Sequence, residues 1–301
     1  MLYRLYRTYI RETPVGIVLR SARRSGLAAW QGLSEGVAER VDRVRDFIYR
    51  ASYVRRYYRR RVGPAWHWLR QSNETENFTY DITPRNKRHM AEMLAVALRD
   101  SPERILAYIS EAEADEALKA NIRRAAQGLR RTDPVARFGR RLGWYACVRA
   151  MKPRVVIETG VDKGLGASLL CSALQRNVAE GFPGRYYGTD INPHAGRLFT
   201  APYTEFGEIL YGDSITTLAA LDVQIDLFIN DSDHSADYES REYETILPKL
   251  SARAIILGDN AHVADALADF SRTRGRQFLF IREEPLDHWY LGAGIGVSFK
   301  P

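Results

Sequence analysis

The sequence predicts an α/β protein in which a doubly wound, seven-stranded, mostly parallel sheet follows an α-helical N-terminal extension. From Arg154 onwards, short apolar runs alternate with helical patterns. This alternation is typical of a parallel sheet with helices on both faces. The seven runs fit within about 150 residues, which is the length that one such sheet needs. We therefore assign the sheet to residues 151–301.

Each strand is predicted where an apolar run ends in glycine or in a polar residue. Helical patterns follow the first, fourth and fifth runs, at 166–176, 236–249 and 262–273. The predicted strands are 155–159, 186–190, 209–213, 225–231, 254–260, 278–284 and 295–299.

The extension is predicted to have two helical parts, a basic segment at 1–83 and a cover for the sheet at 84–150. Apolar residues recur at helical spacing within 35–61, and Gly63-Pro64 predicts a break after that helix. The apolar stripe consists of Val41, Val44, Phe47, Ile48 and Ala51. Further helices are predicted between 84 and 129 and over 139–151. The segment 76–81 is either a substrate lid or a plain loop.

The positive charge is concentrated in the first 70 residues. They hold 16 arginines, no lysine and five acidic residues, a formal charge of +11, whereas the whole chain carries +7. Three interpretations of residues 40–70 stay open. They form a solvated face or a contact between copies of the chain, a surface for anionic lipid, or, as the weakest of the three, a site for nucleic acid.

The cysteines and the hydropathy pattern argue against several other classes of protein. Cys147 and Cys171 lie in apolar surroundings without a metal-binding spacing, which predicts a reducing compartment and neither a disulfide scaffold nor a structural zinc site. No apolar run reaches the roughly 18 residues that span a bilayer, and the start of the chain lacks the apolar core of a secretory signal. We expect a cytoplasmic protein, with peripheral membrane contact as an alternative.

Residues that bind a ligand are expected where the parallel strands end. Gly160, Gly164 and Gly166 follow the first strand and let the backbone approach a ligand. Their G-xxx-G-x-G spacing differs from that of a dinucleotide fingerprint, which disfavours a nicotinamide dehydrogenase. Asp190 ends the second strand, where a carboxylate accepts both hydroxyls of a ribose. Asp213 and Ser214 follow the third and would either face an adenine or cap a helix.

The fourth and fifth strands end in a set of oxygen ligands and one histidine. Asp231, Asp259 and Asn260 suit Mg²⁺ or a similar divalent ion, and ordinary helix caps are the alternative. His234 follows Asp231 by three residues and would take a proton from a substrate hydroxyl. A loop cluster of Asp287, His288, Trp289 and Tyr290 would either stack on a sugar ring or belong to the core.

In their order, these segments resemble the motifs of class I S-adenosylmethionine-dependent methyltransferases. They are ETGVDKGLGAS, YYGTDIN, YGDS, DLFINDSDH and IILGDNAH, and the resemblance covers roughly 154–300. DLFINDSDH resembles the D-G-D-H element of macrocin-type sugar O-methyltransferases, with Ser232 in place of the glycine. The pair Asp259-Asn260 resembles the metal site of catechol O-methyltransferase.

The resemblance implies a Rossmann-like methyltransferase fold, S-adenosylmethionine as cofactor and a role for each residue. The loop from Glu158 to Ser168 would hold the methionine end of the cofactor, with Glu158 and Gly160 lining it. Asp190 would hold the ribose, while Asp213 and Ser214 would face the adenine. Asp231, Asp259 and Asn260 would ligate Mg²⁺, with Asp231 also beside the cofactor. His234, or less favourably Asp233, would be the general base.

The function predicted from these roles is metal-assisted O-methylation of a sugar, a glycan or another diol-like small molecule. An RNA-directed methyltransferase that uses the arginine-rich segment is an alternative, and a non-catalytic scaffold of the same fold is another. The partners expected are a small-molecule or glycan acceptor and a second copy of the chain. A lipid-linked substrate would contact residues 40–70, and nucleic acid is the less favoured partner.

Overall fold

The computed structural model describes residues 35–71, 79–129, 132 and 135–301. Its sheet has seven strands in the order β3-β2-β1-β4-β5-β7-β6. All pairs are parallel except those that β7 makes with β5 and β6. The strands are β1 (Val155–Thr159), β2 (Arg185–Asp190), β3 (Gly207–Tyr211), β4 (Ile225–Asn230), β5 (Leu250–Asp259), β6 (Gln277–Arg282) and β7 (Gly294–Phe299). The predicted doubly wound fold is confirmed.

Helices cover both faces of the sheet because alternate strand residues point to opposite sides. The described helices are α1 (Glu35–Gln71), α2 (Pro84–Leu98), α3 (Pro102–Glu113), α4 (Glu116–Ala126), α5 (Arg141–Met151), α6 (Leu165–Ala179), α7 (Ser214–Ala220), α8 (Ala236–Ile246) and α9 (Ala266–Thr273). Val156 packs on the face that α2 to α6 cover. Its neighbour Ile157 packs on the face that α7 to α9 cover.

The helices between 84 and 151 share one hydrophobic core with the sheet. Met90 of α2, Ile109 of α3 and Trp144 of α5 are fully buried in it, together with Leu170 of α6. Residues 64–301 accordingly form one compact unit. The start of α5 also reaches the carboxyl edge of the sheet, where it places Arg140 and Arg141 beside Asp259 and Asp231.

The part of α1 up to Gly63 belongs to a second compact unit. The predicted break at Gly63-Pro64 is wrong, because α1 continues through Pro64 to Gln71. A proline removes only one backbone donor, so the hydrogen bonds on either side can keep the helix intact. Within the predicted apolar stripe, Val44 and Phe47 are exposed, at 59% and 68%. None of the helices that the structure describes is long and apolar enough to cross a membrane.

Two strand boundaries differ from the prediction for local reasons. β3 ends at Tyr211 because Gly212 turns the chain at a φ of 148°, and Asp213 then caps α7. β5 begins at Leu250, because the chain enters it directly from the short helical turn Leu247–Lys249. The observed boundaries therefore differ from the predicted ones, but the same residues lie at the carboxyl edge of the sheet.

Candidate active site

A cleft of about 400 Å³ lies along the carboxyl edge of β1, β2, β3 and β4. The predicted residues Gly160, Asp190, Asp213, Ser214 and Asp231 all line it. Its other lining residues are Asp162, Thr189, Ile191, Asn192, Gly212, Ser232, Asp233 and Tyr238. The topology therefore brings the ends of separate strands together in the way that the sequence predicts.

Glycine is required at position 160 to let two strand ends meet. Gly160 has a φ of 80°, and a Cβ there would collide with the backbone carbonyl of Asp231. The other two predicted glycines do not line the cleft. Gly164, at a φ of 91°, packs against the backbone of Gly196, and Gly166 leaves room for the carboxylate of Glu158.

Ser168 has a structural role that the sequence did not indicate. Its side chain is fully buried in α6, and its Oγ donates a hydrogen bond of 2.9 Å to the carbonyl of Leu198. This bond fixes the segment after β2 to the helix after β1. Ser168 does not line the cleft, and its predicted contact with the cofactor stays a prediction.

Backbone amides hold the Asp190 carboxylate in place. Its Oδ2 accepts from the amide of Asp162 and its Oδ1 from the amide of Asn192, both at 2.8 Å. Each carboxylate oxygen has a further lone pair for a ligand. Asp190 thus presents a fixed acceptor at the end of β2, as binding a diol requires.

Asp213 caps α7, as one of its two alternatives predicts, and it also lines the cleft. Its Oδ1 accepts from the amide of Thr216 at 2.9 Å. Its Oδ2 accepts from the hydroxyl of Tyr238 at 2.9 Å, and these hydrogen bonds lower the pKa of Asp213. Ser214 lies beneath it and donates to the buried carboxylate of Glu242.

Glu158 lies below the floor of the cleft instead of lining it. Its side chain is buried and accepts a hydrogen bond of 2.5 Å from the hydroxyl of Tyr186. Burial raises the pKa of Glu158 to about 7, although the hydrogen bond from Tyr186 opposes the shift. A positive charge bound above it would favour its ionised form.

The acidic residues after β4 and β5 belong to a buried network of charges. Arg140 donates from Nε and NH2 to both carboxylate oxygens of Asp259, the second bond at 2.6 Å. Its Nε also lies 4.0 Å from Glu283, which accepts a hydrogen bond of 2.5 Å from Tyr80. Arg141 lies 3.7 Å from Asp231. These groups are nearly or wholly inaccessible to water.

The surroundings of Asp231 and Asp259 shift the pKa values of the two residues in opposite directions. Burial and the adjacent charge of Asp259 raise the pKa of Asp231 well above its usual value. Burial also acts to raise the pKa of Asp259, but the guanidinium of Arg140 outweighs it and the pKa is lowered. Asp259 is therefore the member of the pair that carries the negative charge.

His234 contacts a carboxylate on one side of its ring and an amide on the other. Its Nδ1 lies 3.4 Å from Glu239, and its Nε2 lies 3.0 Å from the side-chain nitrogen of Asn260 and 3.8 Å from Asp231. The contact with Glu239 raises the pKa of His234, and burial opposes the shift. Asp233 is exposed and accepts from the amide of Ser235, which lowers its pKa.

The predicted divalent ion does not fit the donor set as it stands. Oxygen and nitrogen atoms of Asp231, His234 and Asp259 come within 4.8 Å of one another. However, Arg140 donates to both oxygens of Asp259, and the side-chain nitrogen of Asn260 contacts His234. An ion could engage Asp259 fully only by displacing a buried guanidinium.

Aromatic side chains lie beyond the charged network, where the sequence predicts a stacking cluster. Tyr80, which donates to Glu283, lies 5.2 Å from His288 and 5.9 Å from Tyr290 between ring centroids. Trp68 lies 5.4 Å from Trp289. Of the predicted lid at 76–81, residues 76–78 lie outside the described part of the chain.

Sequence reasoning missed Arg140, Arg141, Glu239 and Tyr238. The arginines lie more than 100 residues before the β5 end, and nothing local marks them as its partners. A weak signal was available for the other two, because both lie in the first turn of the helix that follows His234. That turn starts at the carboxyl edge of β4 and so faces the cleft.

Comparisons with known proteins agree with this architecture. Residues 157–261 match the model of the methyltransferase-domain family Methyltransf_24. No curated protein matches the sequence.

Among solved structures, a methyltransferase from Geobacter sulfurreducens is 17% identical over 62% of this chain and 90% of its own, with a TM-score of 0.46. The O-methyltransferase TomG from Streptomyces achromogenes, solved with S-adenosylmethionine, is 18% identical over 62% and 90%, with a TM-score of 0.44. The methyltransferase PaMTH1 from Podospora anserina is 17% identical over 73% and 99%, with a TM-score of 0.42.

The family match spans β1 to the end of β5, the part of the chain that builds the cleft. The glycine turn after β1 and the carboxylate after β2 lie inside it. Residues 157–261 are therefore similar to a methyltransferase domain, and this part of the chain supplies the residues of the cleft.

Proposed function

We propose that this protein transfers a methyl group from S-adenosylmethionine to a hydroxyl oxygen of a small acceptor, a sugar, a glycan or another diol-like molecule. The observation that carries the proposal is the position of His234. It lies beside Asp231 at the edge of the cleft, with Glu239 in contact with its other ring nitrogen. An oxygen acceptor needs such a base, because an alcohol is a poor nucleophile at neutral pH.

The cofactor would occupy the cleft along β1, β2 and β3. We assign Asp190 to the ribose hydroxyls and Asp213 with Ser214 to the adenine, because all three line the cleft. The methionine end would lie at Gly160, which also lines the cleft, with the buried carboxyl group of Glu158 nearby. A 400 Å³ cleft is within the usual range for a small-molecule site.

S-adenosylmethionine, when bound, supplies a methyl group that is already activated by its sulfonium. The protein has to align the acceptor oxygen with that methyl and remove the proton. His234 is the proposed base, and the carboxylate of Glu239 stabilises the imidazolium that forms. Asp233 is the weaker candidate, because the amide hydrogen bond that lowers its pKa makes it a poorer base.

The divalent ion of the sequence prediction enters no step of this mechanism. Asp231 and Asp259 are the residues that would hold it, and Arg140 already binds both oxygens of Asp259. Metal dependence therefore stays a prediction that only titration with a metal can test.

The proposal is tested first by calorimetric titration of S-adenosylmethionine and S-adenosylhomocysteine into the whole protein. We expect micromolar binding of both, with and without chelator. An acceptor screen with methyl-labelled cofactor would follow, weighted towards sugars and catechols. Absence of binding by either compound would contradict the proposal and favour the non-catalytic scaffold.

The arginine-rich helix favours a second candidate, an RNA-directed methyltransferase. Arg43, Arg45, Arg50, Arg55 and Arg56 are exposed on α1, with tyrosines between them. Such a surface would bind a polyanion in a salt-dependent way. RNA binding that weakens steeply with salt, and that charge reversal of Arg55 and Arg56 abolishes, would support this candidate. Binding to anionic vesicles alone would instead favour a lipid-linked acceptor.

A further inference from the structure

The guanidinium of Arg140 lies where a metal ion would have to bind Asp259. Arg140 is the residue just before the first turn of α5, and its side chain is only 10% exposed. Its two nitrogens form a fork with the two oxygens of Asp259, the geometry in which arginine binds carboxylate most strongly. A positive charge is thus already present at this position in the protein itself.

Arg140 is held there from its far side as well. Glu283 lies 4.0 Å from its Nε and is fully buried, and the hydroxyl of Tyr80 donates to Glu283. Moving the guanidinium away would leave both Asp259 and Glu283 as buried, unpaired charges. Breaking a buried ion pair in this way is strongly unfavourable, so an incoming ion would have to compensate for two lost contacts.

We propose that Arg140 takes the cation position of this site, so that Asp259 binds a guanidinium and the methyltransferase works without a divalent metal. Arg140 is then a positioning residue. It fixes Asp259 and excludes the ion, and proton removal falls to His234. The proposal rests on the proposed function only for the role of His234, whereas the exclusion of metal is a property of the folded protein.

Titration with Mn²⁺, followed by the loss of its free-ion paramagnetic resonance signal, tests this on the whole protein without an acceptor. For the wild type we expect no binding tighter than about 1 mM, which is weaker than a dedicated protein site. In Arg140→Gln the carboxylate of Asp259 is released, and we expect Mn²⁺ affinity to increase by about tenfold or more. The double variant Arg140→Gln, Asp259→Asn should lose that gain.

The melting temperature gives a second measurement that a merely structural role of Arg140 would not change. Mn²⁺ should raise it for Arg140→Gln and leave it unchanged for the wild type and for Arg85→Gln. Arg85 is a matched control, because it forms an exposed ion pair with Glu284, next to the partner of Arg140. The Mn²⁺ titration of the wild type still tests the proposal if Arg140→Gln does not fold.

Two results would overturn the proposal. One is wild-type protein that binds Mn²⁺ tightly and loses it on Asp259→Asn. The other is a folded Arg140→Gln protein that gains no affinity. Neither depends on the cofactor, so failure of the proposed function would show separately, as absence of S-adenosylhomocysteine binding in the same samples.

Discussion

The cleft holds its carboxylates in two different ways along one edge of the sheet. In the half that we propose for the cofactor, which contains Asp190 and Asp213, they accept hydrogen bonds from nearby backbone amides. In the half that we propose for the acceptor, which contains Asp231, Asp259 and His234, the partners of the two aspartates are the distant side chains of Arg140 and Arg141. Backbone donors leave a carboxylate open to a ligand, whereas the guanidinium of Arg140 engages both oxygens of Asp259. The difference suits one half to binding and the other to positioning charge.

The largest expected effect is on turnover in the acceptor half. His234→Ala should lower the rate of methyl transfer by about 100- to 10,000-fold, the usual contribution of a general base. Affinity for S-adenosylhomocysteine should stay within about twofold, because His234 does not line the cofactor cleft. Rate and affinity are to be measured in parallel once an acceptor is in hand.

His89→Ala is the matched control for that experiment, because His89 is exposed on α2. It should retain wild-type turnover. Full activity of His234→Ala would remove the base from the mechanism and leave Asp233 as the next residue to test.

Substitutions in the two halves should also differ in their effect on the free energy of unfolding. Asp259→Asn leaves the buried guanidinium of Arg140 without its charged partner and should lower the free energy of unfolding by about 3–5 kcal/mol. Asp190→Asn keeps an oxygen for one of the two backbone amides and loses the other hydrogen bond at a partly exposed position, so it should cost only about 1 kcal/mol. Urea unfolding of both variants measures the contrast, and equal losses would contradict it.

The same contrast explains how far the sequence could predict this protein. The seven strands and the cofactor half were predictable, because Gly160, Asp190 and Asp213 lie in short local motifs that end strands. The acceptor half was predictable only in part. His234 and Asp231 came from one motif, but the partner of Asp259 lies 119 residues earlier in the chain.

Three residues of the predicted ligand loop have packing contacts that the motif does not show. Ser168 and Gly164 contact the segment after β2, and Gly166 leaves room for the carboxylate of Glu158. A one-dimensional motif does not indicate which of its residues pack against other parts of the protein. The continuous helix through Pro64 was missed because proline was taken as a stop signal, whereas a long helix can continue past a proline despite the lost hydrogen bond and the ring clash.

Glu158 lies beneath both halves and should make stability depend on pH. Its pKa of about 7 in the folded protein lies above the value of about 4.3 for a free glutamate. The stabilisation is complete below the unfolded pKa and is lost as the pH rises through 7. The free energy of unfolding should therefore fall by about 3 kcal/mol between pH 4 and 7 through this group.

Glu158→Gln removes the ionisable group and should flatten that part of the pH profile of stability. Glu180→Gln is the control, because Glu180 is exposed in part and pairs with Arg149 and Lys152 at the end of α6. An unchanged slope in Glu158→Gln would show that the carboxyl group ionises at its ordinary pKa despite burial.

Affinity for S-adenosylhomocysteine tests the proposed binding role of the cofactor half. Asp190→Ala removes the acceptor for two hydroxyls and should weaken S-adenosylhomocysteine binding by about 100-fold. Asp226→Ala is matched in chemistry, since Asp226 also accepts from backbone amides, those of Arg154 and Val155, but at the opposite edge of the sheet. It should bind normally, and equal losses in the two variants would point to a folding defect.

The smallest expected effect tests a single contact of the acceptor half, the one between Glu239 and His234. Glu239→Gln removes the carboxylate that raises the pKa of His234, so the imidazole should titrate at a lower pH than in the wild type. In the wild type the pKa should lie above 6.5, and a base must be neutral to act. Activity should therefore be lost as the pH falls, at a lower midpoint in Glu239→Gln. Nuclear magnetic resonance of the His234 ring measures the shift directly, and an unchanged midpoint would assign the raised pKa to Asp259 instead of Glu239.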